Sequence, residues 1–118
     1  MADLPAHLLP DARRLVDALR SEATRYVSLE KLPDIRLEGL RFEAVTDPSN
    51  GNEGYEGIWR NALNERVGRL IFNSDASFYA EYDLCVPHPW KRGWFIEAVT
   101  AWGRGETLKA EPRVLAML

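Results

Sequence analysis

The residues of this sequence that could do nucleophilic chemistry lie together in the segment 85–89, which reads Cys-Val-Pro-His-Pro. A cysteine nucleophile needs a base within hydrogen-bond reach, and Cys85 and His88 lie only three residues apart. However, the prolines on either side of His88 favour an extended backbone that holds the two side chains apart. We find no third residue that would orient the histidine. The pattern therefore predicts a strand that ends in a rigid loop, and we assign no catalytic residue.

Two carboxylates, Glu81 and Asp83, occupy alternate positions of a predicted strand and so project from the same face, roughly 6.6 Å apart. Such a pair could share a metal ion or act in acid–base catalysis, but it is also typical of a solvated strand face. The softer ligands are Cys85, His88 and His7, fewer than the four that structural zinc prefers. The sequence also lacks the phosphate-binding, dinucleotide-binding and zinc-helix motifs. We expect no metal site and no cofactor.

Glu97 is the acid most suggestive of a cavity. A hairpin between residues 94–102 and 107–114 would place it on an apolar face, where a carboxylate needs a partner or a raised pKa. Arg69 is the candidate partner if the preceding hairpin has a four-residue loop, and Tyr82 would then form part of the wall. A buried ion pair of this kind is often structural.

Tryptophan is unusually frequent, with four in 118 residues. So small a domain cannot bury all of them centrally, and Trp90 lies in a proline-rich, loop-like segment beside Lys91 and Arg92. Tryptophan and arginine are enriched where proteins bind other proteins. Alternatively, Trp90 folds back as a lid over the sheet edge. The residues predicted to contact a partner are Trp90, Lys91, Arg92, Trp94, Ile96 and Trp102.

These side chains would be positioned by one helix and a series of strands. Apolar residues recur every three or four positions over residues 10–28, which predicts an amphipathic helix that ends before Pro33. Alternation with a period of two follows. The predicted strands are 35–45 with a bulge at Gly39, 54–61, 66–72, 77–86, 94–102 and 107–114.

Two features remain open at this stage. Residues 94–102 also fit one face of a helix, although their aromatic and β-branched side chains favour a strand. If they form a hairpin, Phe95, Val99, Ala101, Leu108 and Ala110 share one face. The hairpin loop after residue 72 has three or four residues. This choice decides whether Leu70 and Phe72, or Val67 and Ile71, join the core.

Composition limits the class of protein. The length suits a single domain spanning residues 1–118, and the net charge of −3 lacks the basic excess of a nucleic-acid-binding protein. No apolar run reaches the roughly 20 residues of a membrane-spanning helix, and residues 1–10 do not resemble a secretory signal. Cys85 is the only cysteine. We therefore expect a cytoplasmic protein that binds neither nucleic acid nor membrane.

The fold class predicted is α+β, with one N-terminal helix packed on an antiparallel sheet of about six strands. The favoured function is a non-catalytic protein-interaction module, of the class to which compact, mildly acidic immunity and antitoxin proteins belong. One alternative is a cavity protein of the cystatin-like or NTF2-like plan that binds or transforms a small molecule. Another is a homodimer built on the outer, apolar face of residues 94–111.

Overall fold

The computed structural model describes residues 4–31 and 35–116, so Pro33 lies outside the described residues. These ranges contain one α-helix and six β-strands. The elements are α1 (Leu9–Thr24), β1 (Arg41–Thr46), β2 (Glu53–Arg60), β3 (Arg66–Phe72), β4 (Ser77–Pro87), β5 (Trp94–Arg104) and β6 (Thr107–Ala116).

Helix α1 forms for the reasons that its sequence indicates. Pro10 occupies its first turn, and Asp11 lies near the positive end of the helix dipole. The helix ends at Thr24, four residues earlier than predicted, because the next residues form i to i−3 hydrogen bonds: the Tyr26 N–H donates to the Ala23 carbonyl at 3.0 Å. Among the described helices, none has the length and apolar character needed to cross a membrane.

The six strands form one antiparallel sheet in which each strand pairs with the next along the chain, in the order β1 to β6. Helix α1 packs against one face of this sheet. The α+β class predicted from the sequence is therefore confirmed. Residues 94–104 form a strand, which settles the choice between strand and helix for this segment.

The interface between helix and sheet is filled by side chains. Leu15 and Leu19 of α1 are fully buried, as are the residues that face them from the sheet. The largest aromatic in this core is Trp59, which is 3% exposed and donates its Nε1–H to the Arg36 carbonyl at 2.9 Å. The fully buried residues on the sheet side are Leu70, Ala80, Val99 and Ala101.

The hairpin between β3 and β4 has the shorter of the two loops considered. Phe72 pairs with Phe78, and the Asn73 N–H donates to the Ser77 carbonyl at 2.8 Å, which leaves residues 74–76 as a three-residue loop. Within this loop Ala76 adopts a left-handed φ of 73°. This register places Leu70 and Phe72 in the core. Arg69, one position along, consequently faces away from the helix.

The hairpin between β5 and β6 turns at residues 105–106, because Arg104 pairs with Thr107. Ala101 then pairs with Ala110, so both lie on the helix side together with Val99 and Leu108, as predicted. Arg14 of α1 donates to both carbonyls of this turn, at 2.9 and 3.1 Å, and thereby ties the helix to it.

A bulge in β5 overturns part of the predicted alternation. The pairing with β6 shifts between Ile96 and Ala98, so Glu97 is an extra residue and every side chain before it changes face. Phe95 therefore leaves the face that Val99 occupies. Ile96 instead turns inward and is fully buried opposite Val114. Nothing in the residue types of this segment indicates the bulge.

The predicted strand 35–45 was wrong in its first half. Residues Leu37–Gly39 form a short 3₁₀ turn, closed by a bond from the Leu40 N–H to the Leu37 carbonyl at 3.0 Å. The strand begins only at Arg41. The phase change near Gly39 therefore marks the end of a turn instead of a bulge, because the turn lets Ile35 and Leu40 both reach the core.

Candidate partner-binding groove

Three aromatic rings meet where α1 ends and the loop between β4 and β5 passes over it. The Trp90 ring stacks on the Tyr26 ring, with centroids 5.4 Å apart and planes 21° from parallel. The His88 ring meets Trp90 edge-on at 4.6 Å and Tyr26 at 5.6 Å. These contacts restrict the Trp90 side chain without hiding it, since it remains 58% exposed.

Tyr26 is held by the last turn of the helix. Its hydroxyl donates to the Glu22 carboxylate at 3.0 Å, and Arg25 forms an ion pair with the same carboxylate at 3.2 Å. Glu22 is only 7% exposed and therefore needs both partners. Burial, followed by the bond to Glu22, raises the pKa of Tyr26 above its ordinary value. The phenol consequently stays protonated, as a donor must.

The loop of residues 88–93 has a defined shape. The His88 N–H donates to the Trp94 carbonyl at 2.9 Å, and the Trp94 N–H donates to the Lys91 carbonyl at 3.2 Å. The His88 Nδ1 accepts two backbone N–H groups, from Trp90 at 3.3 Å and from Lys91 at 3.1 Å. Gly93 turns the chain back with a left-handed φ of 83°. The imidazole therefore fixes the backbone that carries Trp90.

These elements enclose a surface groove of about 300 Å³, which we call the Trp90 groove. Two of its lining residues are large exposed apolar side chains, with Trp90 58% exposed and Trp94 43% exposed. Large apolar side chains that are exposed around one groove are typical of a surface that binds a partner or ligand. The residues that line the groove are Arg25, Tyr26, His88, Trp90, Lys91, Trp94, Pro112 and Val114.

The charges around the groove are positive. Lys91 lines it, and the neighbouring Arg92 is exposed on the same loop. Within the described ranges, no ion pair engages either of these two cations. The charge of Arg25 is balanced by Glu22. The groove thus carries uncompensated positive charge in a chain whose net charge is −3.

Four of the six residues predicted to contact a partner are brought together here, namely Trp90, Lys91, Arg92 and Trp94. Ile96 is not available to a partner because it is fully buried. Trp102 lies on the opposite face of the sheet, where it pairs with Tyr79 and Lys109. It lines a separate shallow groove of about 330 Å³.

Among the hydrogen bonds of the described residues, none joins Cys85 to His88, so the two do not form a nucleophile–base pair. The Cys85 Sγ points to the Glu97 carbonyl at 3.8 Å, while the His88 Nδ1 is occupied by backbone donors. Burial, followed by the charges of Asp83 and Glu97, raises the pKa of the Cys85 thiol. A raised pKa keeps the thiol protonated and reduces its reactivity.

The carboxylate of Glu81 serves the structure of the sheet. It accepts a hydrogen bond from the Tyr79 hydroxyl at 2.8 Å and pairs with Arg113 at 3.4 Å. Although burial opposes ionisation, the bonds from Tyr79 and Arg113 hold the pKa of Glu81 below its usual value.

For Asp83, burial and the neighbouring charge of Glu81 raise the pKa. Across residues 4–31 and 35–116, no group of three potential ligands is placed to hold a metal ion.

The three residues proposed to line a cavity are not brought together. Tyr82 is buried on the helix side against Trp59, with ring centroids 5.5 Å apart. Arg69 lies on the other face of the sheet, where it pairs with Glu56 at 3.2 Å. Glu97 stands at the bulge of β5. The predicted partnership of Arg69 with Glu97 is therefore replaced by one with Glu56, because the three-residue hairpin loop turns Arg69 outward.

Sequence reasoning missed the half of the groove that the helix and β6 supply. Tyr26 belongs to the apolar stripe of the helix, and its position just after the last turn was its only signal. Its contact with Trp90 joins residues 64 positions apart and has no local signature. Pro112 and Val114 reach the groove through β6.

Comparisons of the chain with protein-family models, with curated proteins and with solved structures gave no match. The groove must therefore be interpreted from its own chemistry.

Proposed function

We propose that this chain is a non-catalytic protein-interaction protein that binds a partner protein through the Trp90 groove. The observation that carries the proposal is the pair of exposed tryptophans: Trp90 lies on a loop that hydrogen bonds and ring contacts hold in place, and Trp94 is the first residue of β5. An ordered aromatic side chain loses little conformational entropy when it binds, so it can contribute strongly to affinity. The single unpaired cysteine fits work in a reducing compartment such as the cytoplasm.

The arrangement of the remaining polar groups supports binding over catalysis. His88 uses its Nδ1 to hold the loop, and the nearby thiol has a raised pKa. Fully buried side chains fill the space between helix and sheet, where a cavity protein would hold its ligand. The two exposed tryptophans are what distinguishes the Trp90 groove as a binding surface.

The test compares partner capture by the wild type with capture by Trp90→Ala and Trp94→Ala, using tagged protein and native lysate. We expect a stoichiometric partner that the wild type retains and each variant loses, since a tryptophan at the centre of an interface contributes about 2 kcal/mol or more. Leu63→Ala is the matched control, because Leu63 is 80% exposed and lies outside the groove. Thermal unfolding of each variant would check that its fold is intact.

Capture of the same partner by wild type, Trp90→Ala and Trp94→Ala alike would reject the groove as the binding surface. Failure of the wild type to retain any stoichiometric partner would count against the interaction function itself. The protein would then be tested for small-molecule binding through its tryptophan fluorescence.

A further inference from the structure

The Trp90 groove combines an apolar interior with a basic rim, and this combination restricts what can occupy it. Trp94, Pro112 and Val114 form apolar walls, and a volume of about 300 Å³ admits one large side chain. Lys91 and Arg92 stand beside the opening with no acidic partner among the described residues. An occupant that supplies negative charge next to an apolar side chain would satisfy both features.

The positive charge of Lys91 and Arg92 is opposite in sign to the net charge of the chain, which is −3. The acid nearest to the groove along the helix, Glu22, is buried and already neutralised by Arg25 and bonded to Tyr26. The local charge is therefore positive at the one surface where two tryptophans are exposed. Charge complementarity of this kind raises the rate of association and selects among partners that have a similar apolar anchor.

On this basis we infer that the Trp90 groove recognises an acidic segment of a protein partner, with one aromatic or large aliphatic side chain inserted between Trp90 and Trp94 and aspartate or glutamate residues next to it facing Lys91 and Arg92. This inference rests on the proposed function and specifies the partner's chemistry. Single-stranded nucleic acid also combines stacking with negative charge, but it requires a groove that tracks many phosphates. Two uncompensated cations on an acidic chain do not provide one.

The experiment selects binders from a displayed library of random peptides, with the full-length protein as bait. We expect the selected pool to be enriched in peptides that place aspartate or glutamate beside tryptophan, phenylalanine or leucine. The double variant Trp90→Ala/Trp94→Ala should not enrich this pool. A selected peptide should bind Lys91→Glu/Arg92→Glu about tenfold or more weakly, because two attractive charges become repulsive.

Lys109→Glu provides the matched control, since it makes the same type of charge change at an exposed position of β6 that does not line the groove. It should leave the affinity for the selected peptide unchanged. Raising the salt concentration should weaken binding of the peptide to the wild type and strengthen its binding to Lys91→Glu/Arg92→Glu, because salt screens the attraction in the first and the repulsion in the second.

A pool without acidic enrichment, or equal affinity of wild type and Lys91→Glu/Arg92→Glu for the selected peptide, would overturn the inference. Displacement of the peptide by a thymine oligonucleotide that itself binds more tightly would also overturn it, in favour of nucleic acid. The two proposals remain distinguishable, because partner capture that depends on Trp90 would still support the interaction function if the selected peptides were neutral or basic.

Discussion

At the scale of single residues, His88 decides how the binding loop is held. Its Nδ1 must carry a lone pair to accept the N–H groups of Trp90 and Lys91, so the neutral imidazole with its proton on Nε2 is the form that fits. Desolvation, followed by the charge of Lys91, lowers the pKa of His88 from its ordinary value of 6.5. The folded loop therefore binds a proton less tightly than the unfolded loop does.

Because the pKa of His88 is lowered in the folded protein, we predict that the loop loses its fixed conformation at acidic pH. The contribution of His88 to the stability of the loop is fully present above the ordinary histidine pKa and is lost as the pH falls through the lowered pKa of the folded state. We expect the tryptophan emission of the native protein to change reversibly in that acidic range as Trp90 leaves Tyr26. Fluorescence titration, with circular dichroism to monitor the sheet, would measure the change.

His88→Asn is the informative variant, because its side-chain oxygen can accept the same N–H groups and does not titrate. It should keep the emission of the neutral wild type throughout the acidic range in which the sheet remains folded. If the variant shows the same emission change as the wild type, His88 does not control the loop.

At the scale of the elements, the sequence predicted what depends on local periodicity. The stripe of α1 and the alternation of β4 come from side chains that each element must bury by itself, and both elements were predicted correctly, one as an amphipathic helix and the other as a strand. The three-residue hairpin loop was one of two options, and the buried pair Leu70 and Phe72 decides between them.

The bulge at Glu97 could not be predicted, because a bulge is stabilised by pairing with neighbouring strands and not by the residue types within one strand. The bulge also changed the candidate site, because it buries Ile96, which was predicted to contact a partner. The same limit explains the partial success at the groove. Trp90 and Lys91 are neighbours in sequence and were predicted together, whereas Tyr26 and Val114 reach the groove only through tertiary packing.

Close packing between β3 and its neighbours gives a prediction at the same scale. A Cβ added at Gly68 would lie 2.6 Å from the Glu81 carbonyl oxygen and about 3 Å from the rings of Tyr82 and Trp59. The backbone of β4 cannot yield without disturbing the ladder, so Gly68→Ala should lower the free energy of unfolding by about 1–3 kcal/mol. Chemical denaturation would measure the loss.

Gly39→Ala is the control, because a Cβ there would meet Trp59 at an ordinary contact distance of 3.5 Å. It should change the free energy of unfolding by less than about 1 kcal/mol. Equal stability of Gly68→Ala and Gly39→Ala would show that β3 and β4 can separate without cost.

At the scale of the whole molecule, the two faces of the sheet differ in what they contact. One face is covered by α1 and supplies the core, while the other carries charges that pair within the chain, Arg69 with Glu56 and Arg113 with Glu81. The outer face of β5 and β6 is therefore less apolar than the sequence suggested. Thr100 is 7% exposed and donates to the Glu111 carbonyl at 3.0 Å, so part of that face is already covered by the chain itself.

The edges of the sheet also lack the features of a self-association surface. Strand β6 contains Pro112, which has no N–H to offer a further strand, and β1 is short and carries the charged residues Arg41 and Glu43. We therefore predict that the purified protein is a monomer of 13.4 kDa, as measured by size-exclusion chromatography with light scattering. The variant Trp102→Lys should also be a monomer, because in a monomeric protein Trp102 contacts no second copy of the chain. If instead the wild type is a dimer and Trp102→Lys dissociates it, the outer face of residues 94–111 is a dimer interface. The Trp90 groove lies on the opposite side of the sheet, so it would remain free to bind a partner in either case.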